Sequence, residues 1–209
     1  ERFKGKSTMG PRGDAIAQMD WMVGRLMKEL TAQGLEDNTL VIFTSDNGCS
    51  PQAGFKVLKE KGHDPSAEFR GYKADIFEGG HRVPFIVKWP KTIKSNSVSN
   101  KTICTTDLLA TVADLTGTDL ADNEGEDSFS MLPLFVKGNE GKYLRDATVH
   151  HSINGSFAIR KGDWKLIFCP DSGGWSAPMP NSDAIKSLTV YQLYNLKNDP
   201  SEQHNLYLT

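Results

Sequence analysis

The stretch TLVIFTSDNG, from Thr39 to Gly48, joins an apolar run to an acid, an amide and a glycine. Residues 40–43 are apolar at every position, which is typical of a parallel strand that helices cover on both faces. We therefore predict a buried strand from Thr39 to Ser45 that ends at Asp46 and Asn47. Ligands collect beyond the carboxyl ends of strands in open α/β sheets, so this turn is a candidate site.

The segment before this strand has the spacing of an amphipathic helix. From Pro11 to Leu30, apolar residues recur every three or four positions and charged residues lie between them. We predict that this helix packs its apolar stripe on the core, the stripe being Ile16, Met19, Val23, Leu26, Met27 and Leu30. A helix followed by a buried strand indicates an α/β fold.

The chemistry of Asp46 and Asn47 permits two interpretations. Asp, Asn and Gly are the residues that turns prefer, so the tripeptide is explained by a turn alone. A carboxylate beside a carboxamide also offers hard oxygen ligands, which suit Ca²⁺ or Mg²⁺ better than zinc or copper. The pair would need further carboxylates from elsewhere, and its spacing does not choose between the two interpretations.

Composition excludes several classes of protein. The chain has 209 residues, of which 38% are hydrophobic and 24% charged, with a formal net charge of -2. Without a basic block there is no electrostatic case for a nucleic-acid partner. No apolar run approaches the roughly 18 residues of a transmembrane segment. The three cysteines lie far apart, so neither a zinc knuckle nor a disulfide framework is indicated.

A longer motif, GHDPSAEFRGYKADIFEGGHRVPFIVKWP, runs from Gly62 to Pro90. Together with TLVIFTSDNG it resembles the sulfatase family, the formylglycine-dependent sulfuric ester hydrolases of the alkaline-phosphatase-like superfamily. DLLATVADLTG, from Asp107 to Gly117, and QLYNLKNDPSEQHNL, from Gln192 to Leu206, resemble later segments of the same family. The motifs occur in the family's order and span nearly the whole chain.

This resemblance implies roles for individual residues. Asp46 and Asn47 match the Asp-Asn pair that ligates the active-site Ca²⁺. Lys73 matches the lysine that binds the sulfate ester and helps its leaving oxygen depart. A divalent cation and an ammonium group stabilise the charge that develops on oxygen as the S–O bond breaks. His63, in the polar loop before Lys73, is a candidate substrate contact.

Other polar residues of these motifs have simpler explanations. Gly79 and Gly80 are expected to allow close backbone approach. Glu78, His81 and Arg82 are better explained by an ion pair or a capped turn than by catalysis. His150 and His151 are adjacent in an apparent strand and point to opposite faces, so they do not easily bind one metal together, although one of them can still reach a substrate pocket.

The resemblance also implies the organisation of the chain. Residues 1–117 correspond to the C-terminal half of the catalytic α/β domain, a mixed sheet flanked by helices. Residues 118–144 are expected to form a connecting loop, and residues 145–209 a small antiparallel β subdomain. Within that subdomain, KGD at Lys161 to Asp163 predicts a hairpin turn. The segment PDSGGWSAPMPNSD, from Pro170 to Asp183, is expected to be a loop that lines the substrate cleft.

The family's nucleophile motif, C-x-P-S-R or C-x-A-x-R, does not occur in the 209 residues. We therefore expect the formylglycine, and the aspartates that complete the calcium site, in an N-terminal half of the same protein, and we expect this chain alone to be inactive. A sulfated small molecule or glycan is the implied substrate, and a periplasmic or secreted location is implied too. Phosphoester or phosphonate hydrolysis, and noncatalytic carbohydrate binding on the same fold, are the alternatives.

Overall fold

The computed structural model describes residues 2–136 and 142–208, so residues 137–141 of the predicted connecting loop lie outside the described part. The helices are α1 (Gly10–Ala32), α2 (Phe55–Glu60), α3 (Glu78–His81), α4 (Leu108–Thr116) and α5 (Leu132–Phe135). The strands are β1 (Val41–Thr44), β2 (Phe85–Lys88), β3 (Thr148–His151), β4 (Phe157–Lys161), β5 (Trp164–Ile167) and β6 (Gln192–Asn195). The predicted α/β class with a small C-terminal antiparallel sheet is confirmed, while the boundaries at 117 and 144 stay predictions.

Helix α1 forms where the sequence predicts it, with Pro11 in its first turn. The predicted packing of its apolar stripe is wrong, because no residue of α1 is buried and the side chains of Ile16 and Leu26 are 52% and 54% exposed. Amphipathic spacing shows that one face of a helix suits burial, but it does not say where the covering residues lie. Among the described residues, none of the helices has the length and apolar character needed to cross a bilayer.

Strand β1 pairs with β2, and the pairing is antiparallel, with Ile42 opposite Val87 and Thr44 opposite Phe85. The prediction of a parallel neighbour is therefore wrong for this pair. Apolar residues on both faces indicate that a strand is covered, whereas strand direction is set by how the connection returns. Leu40, Phe85 and Val87 pack against a core cluster formed by Met131, Phe135 and Tyr143.

The C-terminal sheet is a meander in which β3, β4, β5 and β6 pair in chain order, all antiparallel. Lys161 lies opposite Trp164, and Gly162 between them has φ of +57°, which confirms the predicted hairpin turn. Ile167 and Tyr194 of this sheet share a core cluster with Ile76 and Phe77, which directly precede α3. The sheet therefore packs on the segment that follows Lys73.

A buried ion cluster joins α3 to the C-terminal sheet and to the segment after it. Lys165 of β5 has its Nζ 3.1 Å from Glu78 Oε1 and 2.8 Å from Glu202 Oε1, and all three side chains are 0% exposed. Arg160 Nη1 lies 3.3 Å from Glu78 Oε2, and Arg82 Nη1 lies 3.5 Å from the same atom. We call these five residues the Glu78 cluster; they confirm that Glu78 and Arg82 form ion pairs.

Two histidines border this cluster. The rings of His81 and His150 are 3.9 Å apart at their centroids. Burial, and after it the charge of Lys165, lowers the pKa of His81 well below its ordinary value and the pKa of His150 to about 4. Burial alone would raise the pKa of Glu78, but Lys165 and Arg160 hold it below its ordinary value. At neutral pH Glu78 is therefore a carboxylate and both imidazoles are neutral.

Candidate active site

The turn that follows β1 presents the side chains of Asp46 and Asn47. Ser45 Oγ donates to the carbonyl of Asn47 at 3.0 Å, and Asn47 Nδ2 donates to the carbonyl of Gly48 at 3.0 Å. Because the amide nitrogen of Asn47 makes this bond, its amide oxygen is the atom that remains for a ligand. The Asp46 side chain is exposed and Asn47 is half-buried. The turn thus offers two adjacent hard oxygen donors.

Close backbone packing holds this turn on α3. The Gly48 amide donates to the carbonyl of Gly80 at 2.9 Å. A Cβ on Gly48 would lie 1.9 Å from the Gly79 carbonyl oxygen, and a Cβ on Gly79 would lie 2.4 Å from the Gly71 carbonyl oxygen. Glycine is required at both places because real side chains do not fit at such distances. The predicted architectural role of Gly79 and Gly80 is confirmed.

Lys73 lies next to the same turn. Its backbone amide donates to the carbonyl of Cys49 at 3.0 Å. Ala74, the next residue, has φ of +87°, which sharply bends the chain after Lys73. Within residues 2–136 and 142–208, the Lys73 ammonium has no hydrogen bond or ion pair. Lys73 is half-buried, and an ammonium without a protein partner is available to bind an anion.

Sequence reasoning missed Asp75, which fastens the Lys73 turn to the C-terminal part of the chain. The Asp75 side chain is buried, and its Oδ2 accepts the amide of Tyr72 at 2.9 Å. Its Oδ1 accepts the amides of Trp175 at 2.7 Å and Ser176 at 3.0 Å. Burial, and then the nearby Asp75 charge, raises the pKa of Tyr72. The available signal was an aspartate two residues after Lys73, because Asp side chains commonly accept hydrogen bonds from nearby backbone amides in turns.

Sequence reasoning also missed Arg12. Its Nη2 lies 3.2 Å from Cys49 Sγ, so the first turn of α1 brings a guanidinium to the turn that holds Asp46 and Asn47. The two residues are far apart in sequence, and no local pattern links them. Arg12 and Lys73 thus place two positive groups at this end of β1.

His63 follows α2 in an exposed loop, where its backbone amide donates to the carbonyl of Leu58 at 2.9 Å. Among the described residues, its imidazole makes no hydrogen bond to Asp46, Asn47 or Lys73. The structure thus brings Lys73 to the Asp46–Asn47 turn but provides no such link for His63, whose substrate contact stays a prediction. His150 is half-buried and packs on the ring of His81.

The donor set partly fits a calcium ion. Asp46 and Asn47 offer the carboxylate and amide oxygens that Ca²⁺ accepts, and they are neighbours on one turn. No group of three or more His, Cys, Asp or Glu side chains in the described ranges is arranged to hold a metal. Since Ca²⁺ takes about six to eight oxygens, the pair supplies only part of a coordination sphere.

Family models match two long parts of the chain. The model described as Sulfatase matches residues 1–118, and the model described as N-sulphoglucosamine sulphohydrolase, C-terminal, matches residues 69–177. The two matches together contain the Asp46–Asn47 turn, Lys73 and the loop that reaches Asp75.

Curated relatives are similar over nearly the whole chain. The N-acetylgalactosamine-6-O-sulfatase of Bacteroides thetaiotaomicron is 36% identical over 211 residues, which cover 98% of this chain and 40% of the relative. Human arylsulfatase A is 33% identical over 216 residues, which cover 99% of this chain and 41% of the relative. The chain therefore spans about two fifths of the length of these relatives.

Solved structures show the same similarity in three dimensions. One that concerns the metabolism of multiple glycosaminoglycans by Bacteroides thetaiotaomicron is 36% identical, with a TM-score of 0.78 over 98% of this chain and 42% of that chain. A sulfatase from Pseudoalteromonas sp. is 28% identical, with a TM-score of 0.76 over 98% of this chain and 40% of that chain. Because the sulfatase model matches more than half of the residues of this chain, the chain belongs to the sulfatase family.

Proposed function

We propose that this chain is the C-terminal part of a sulfuric ester hydrolase that cleaves a sulfate monoester with the help of Ca²⁺. The observation that carries the proposal is the hydrogen bond from the Lys73 amide to the Cys49 carbonyl, at 3.0 Å. This main-chain bond supports a site in which Lys73 and the Asp46–Asn47 turn act on one sulfate group, as charge stabilisation of a sulfate ester requires. Membership of the sulfatase family supports the same reaction class.

Each residue then has a defined task. Asp46 and Asn47 would hold Ca²⁺ through one carboxylate and one amide oxygen. When bound, the ion would supply positive charge to the sulfate oxygens. Lys73 places its ammonium against the sulfate group and donates to the leaving oxygen, where negative charge develops. His63 contacts the substrate from the neighbouring loop. The formylglycine nucleophile and the remaining calcium ligands belong to the N-terminal half of the same protein, which is the partner of this chain.

We propose a sulfated glycan as the substrate. One relative is named an N-acetylgalactosamine-6-O-sulfatase, and a structural neighbour that is 28% identical, with a TM-score of 0.69, was solved in complex with a neocarrahexaose. Both names describe carbohydrate ligands of those proteins. A periplasmic or secreted location accords with such a substrate, which is found outside the cytoplasm.

The reaction class is tested with the full-length protein that contains this chain. We expect release of sulfate from N-acetylgalactosamine-6-sulfate, carrageenan oligosaccharides or 4-nitrophenyl sulfate, with loss of activity after calcium chelation. The kcat/KM for 4-nitrophenyl sulfate is expected to exceed that for 4-nitrophenyl phosphate and for a phenylphosphonate ester. A preference for either phosphorus ester would contradict the sulfatase proposal, and binding of the oligosaccharides without turnover would indicate a noncatalytic protein.

The metal assignment is tested in the same protein by removing each ligand. Asp46→Ala is expected to lower Ca²⁺ affinity by about tenfold or more, and Asn47→Ala by less, because a charged ligand binds Ca²⁺ more strongly than a neutral one. Isothermal titration calorimetry measures both. Asp119→Ala, which removes an exposed carboxylate in a loop, is the matched control and should bind as the wild type does. Unchanged affinity in both ligand variants would remove the pair from the site.

A further inference from the structure

The loop segment from Gly174 to Ser176 is fastened to both residues that flank Lys73 and Ala74. On one side, Tyr72 donates its hydroxyl to the Trp175 carbonyl at 3.0 Å. On the other side, Asp75 accepts the Trp175 amide at 2.7 Å and the Ser176 amide at 3.0 Å. These bonds fix the main chain of Trp175 against the turn that positions the lysine.

The two segments also touch without space between them. A Cβ on Gly174 would lie 2.5 Å from the Ala74 carbonyl oxygen and 2.5 Å from Asp75 Oδ1. The Ile76 amide donates to the Ser172 carbonyl at 2.8 Å, which extends the contact by one more bond. The loop is therefore a fixed wall beside Lys73, since buried hydrogen bonds to a carboxylate are strong.

The Trp175 side chain is not used for core packing. It is 38% exposed, whereas the nearby Ile76 and Phe77 side chains are 0% exposed. The same turn also has aromatic character, because the rings of Phe55 and Tyr72 pack with centroids 5.3 Å apart. Ligand sites are lined mainly by apolar and aromatic side chains, with a few polar groups that orient the ligand. An indole has an apolar face and a polar N–H at its edge.

We propose that Trp175 determines specificity by contacting the sugar ring whose sulfate group lies at Lys73. The inference rests on the proposed sulfatase function and names the part of the site that recognises the organic group. The apolar face of an indole can pack on the C–H face of a pyranose ring, and the indole N–H can donate a hydrogen bond to a sugar hydroxyl. The hydrogen bonds from Tyr72 and to Asp75 hold the residue in place before the substrate arrives, so little ordering is needed on binding.

The test separates recognition of the sugar from recognition of sulfate. In the full-length protein, Trp175→Ala is expected to raise KM by about tenfold, as loss of one aromatic contact would do. The substrate is N-acetylgalactosamine-6-sulfate or a carrageenan oligosaccharide, whichever the wild type cleaves better. The change in kcat should be less than about threefold, because the charges at the reacting oxygens are intact. Inorganic sulfate, which has no sugar ring, should inhibit the variant with an unchanged inhibition constant.

Two further variants control for folding and position. Trp175→Phe keeps an aromatic ring and should retain a KM close to that of the wild type. Trp164→Ala removes a similarly exposed tryptophan, 47% exposed, from the start of β5, and should change neither KM nor kcat. An unchanged KM for the sulfated sugar in Trp175→Ala would overturn the proposal, as would an equal weakening of inorganic sulfate. Absence of sulfate release by the wild type would instead overturn the proposed function, and the inference with it.

Discussion

Replacing Lys73 with alanine in the full-length protein is expected to lower kcat for sulfate esters by about 10²- to 10³-fold, the usual cost of losing one preorganised electrostatic donor. The Lys73 ammonium has no hydrogen bond or ion pair within the described ranges, so its removal breaks no such bond there. The thermal midpoint should therefore stay close to that of the wild type. Steady-state kinetics with 4-nitrophenyl sulfate and a sulfated sugar measures the effect.

Two variants give this experiment its controls. Lys73→Arg keeps the charge but replaces a compact ammonium by a larger, planar guanidinium, so a kcat between those of the wild type and Lys73→Ala is expected. Lys56→Ala removes an exposed lysine from α2 and should leave kcat unchanged. Near-normal turnover of Lys73→Ala on every sulfate ester that the wild type cleaves would refute the assigned role.

Replacing Lys165 with methionine is expected to destabilise the protein by about 3–5 kcal/mol, the usual cost of removing one partner of a buried ion pair. Lys165 is the cation that contacts both Glu78 and Glu202, at 3.1 Å and 2.8 Å, and none of the three side chains is exposed. Methionine keeps the volume of the side chain but leaves two carboxylates close together away from water. Urea unfolding of the full-length protein measures the change in the free energy of unfolding, provided that the recorded signal comes from the C-terminal part of the chain.

Lys161→Met is the matched control for this prediction. Lys161 lies on β4, and its ion pair with Asp146 is at the surface, with side chains 67% and 74% exposed. Surface pairs contribute only about 0–1 kcal/mol, so the free energy of unfolding should change little. If the free energy of unfolding fell by a similarly small amount in both variants, the Glu78 cluster would not hold α3 to the C-terminal sheet.

The fold class and the family could both be predicted from local patterns in the sequence. The apolar run before Asp46 predicted a strand, and the helical spacing from Pro11 to Leu30 predicted α1, because both are properties of neighbouring residues. The order of the motifs identified the family. Asp46, Asn47 and Lys73 were predicted as site residues because they belong to those motifs, and the Lys73 amide donates to the Cys49 carbonyl close to the Asp46–Asn47 turn.

Contacts between residues far apart in the chain could not be predicted from the sequence. The structure showed that β1 pairs antiparallel with β2, that no residue of the α1 stripe is buried and that Arg12 reaches Cys49. It also showed the Glu78 cluster, and the fastening of Trp175 by Asp75, which no spacing in the sequence indicates. Periodicity reports which face of an element suits burial, whereas the partner of that face is set by packing between segments far apart in the chain. Buried charges such as Lys165 therefore look like ordinary surface lysines until the carboxylates that surround them are seen.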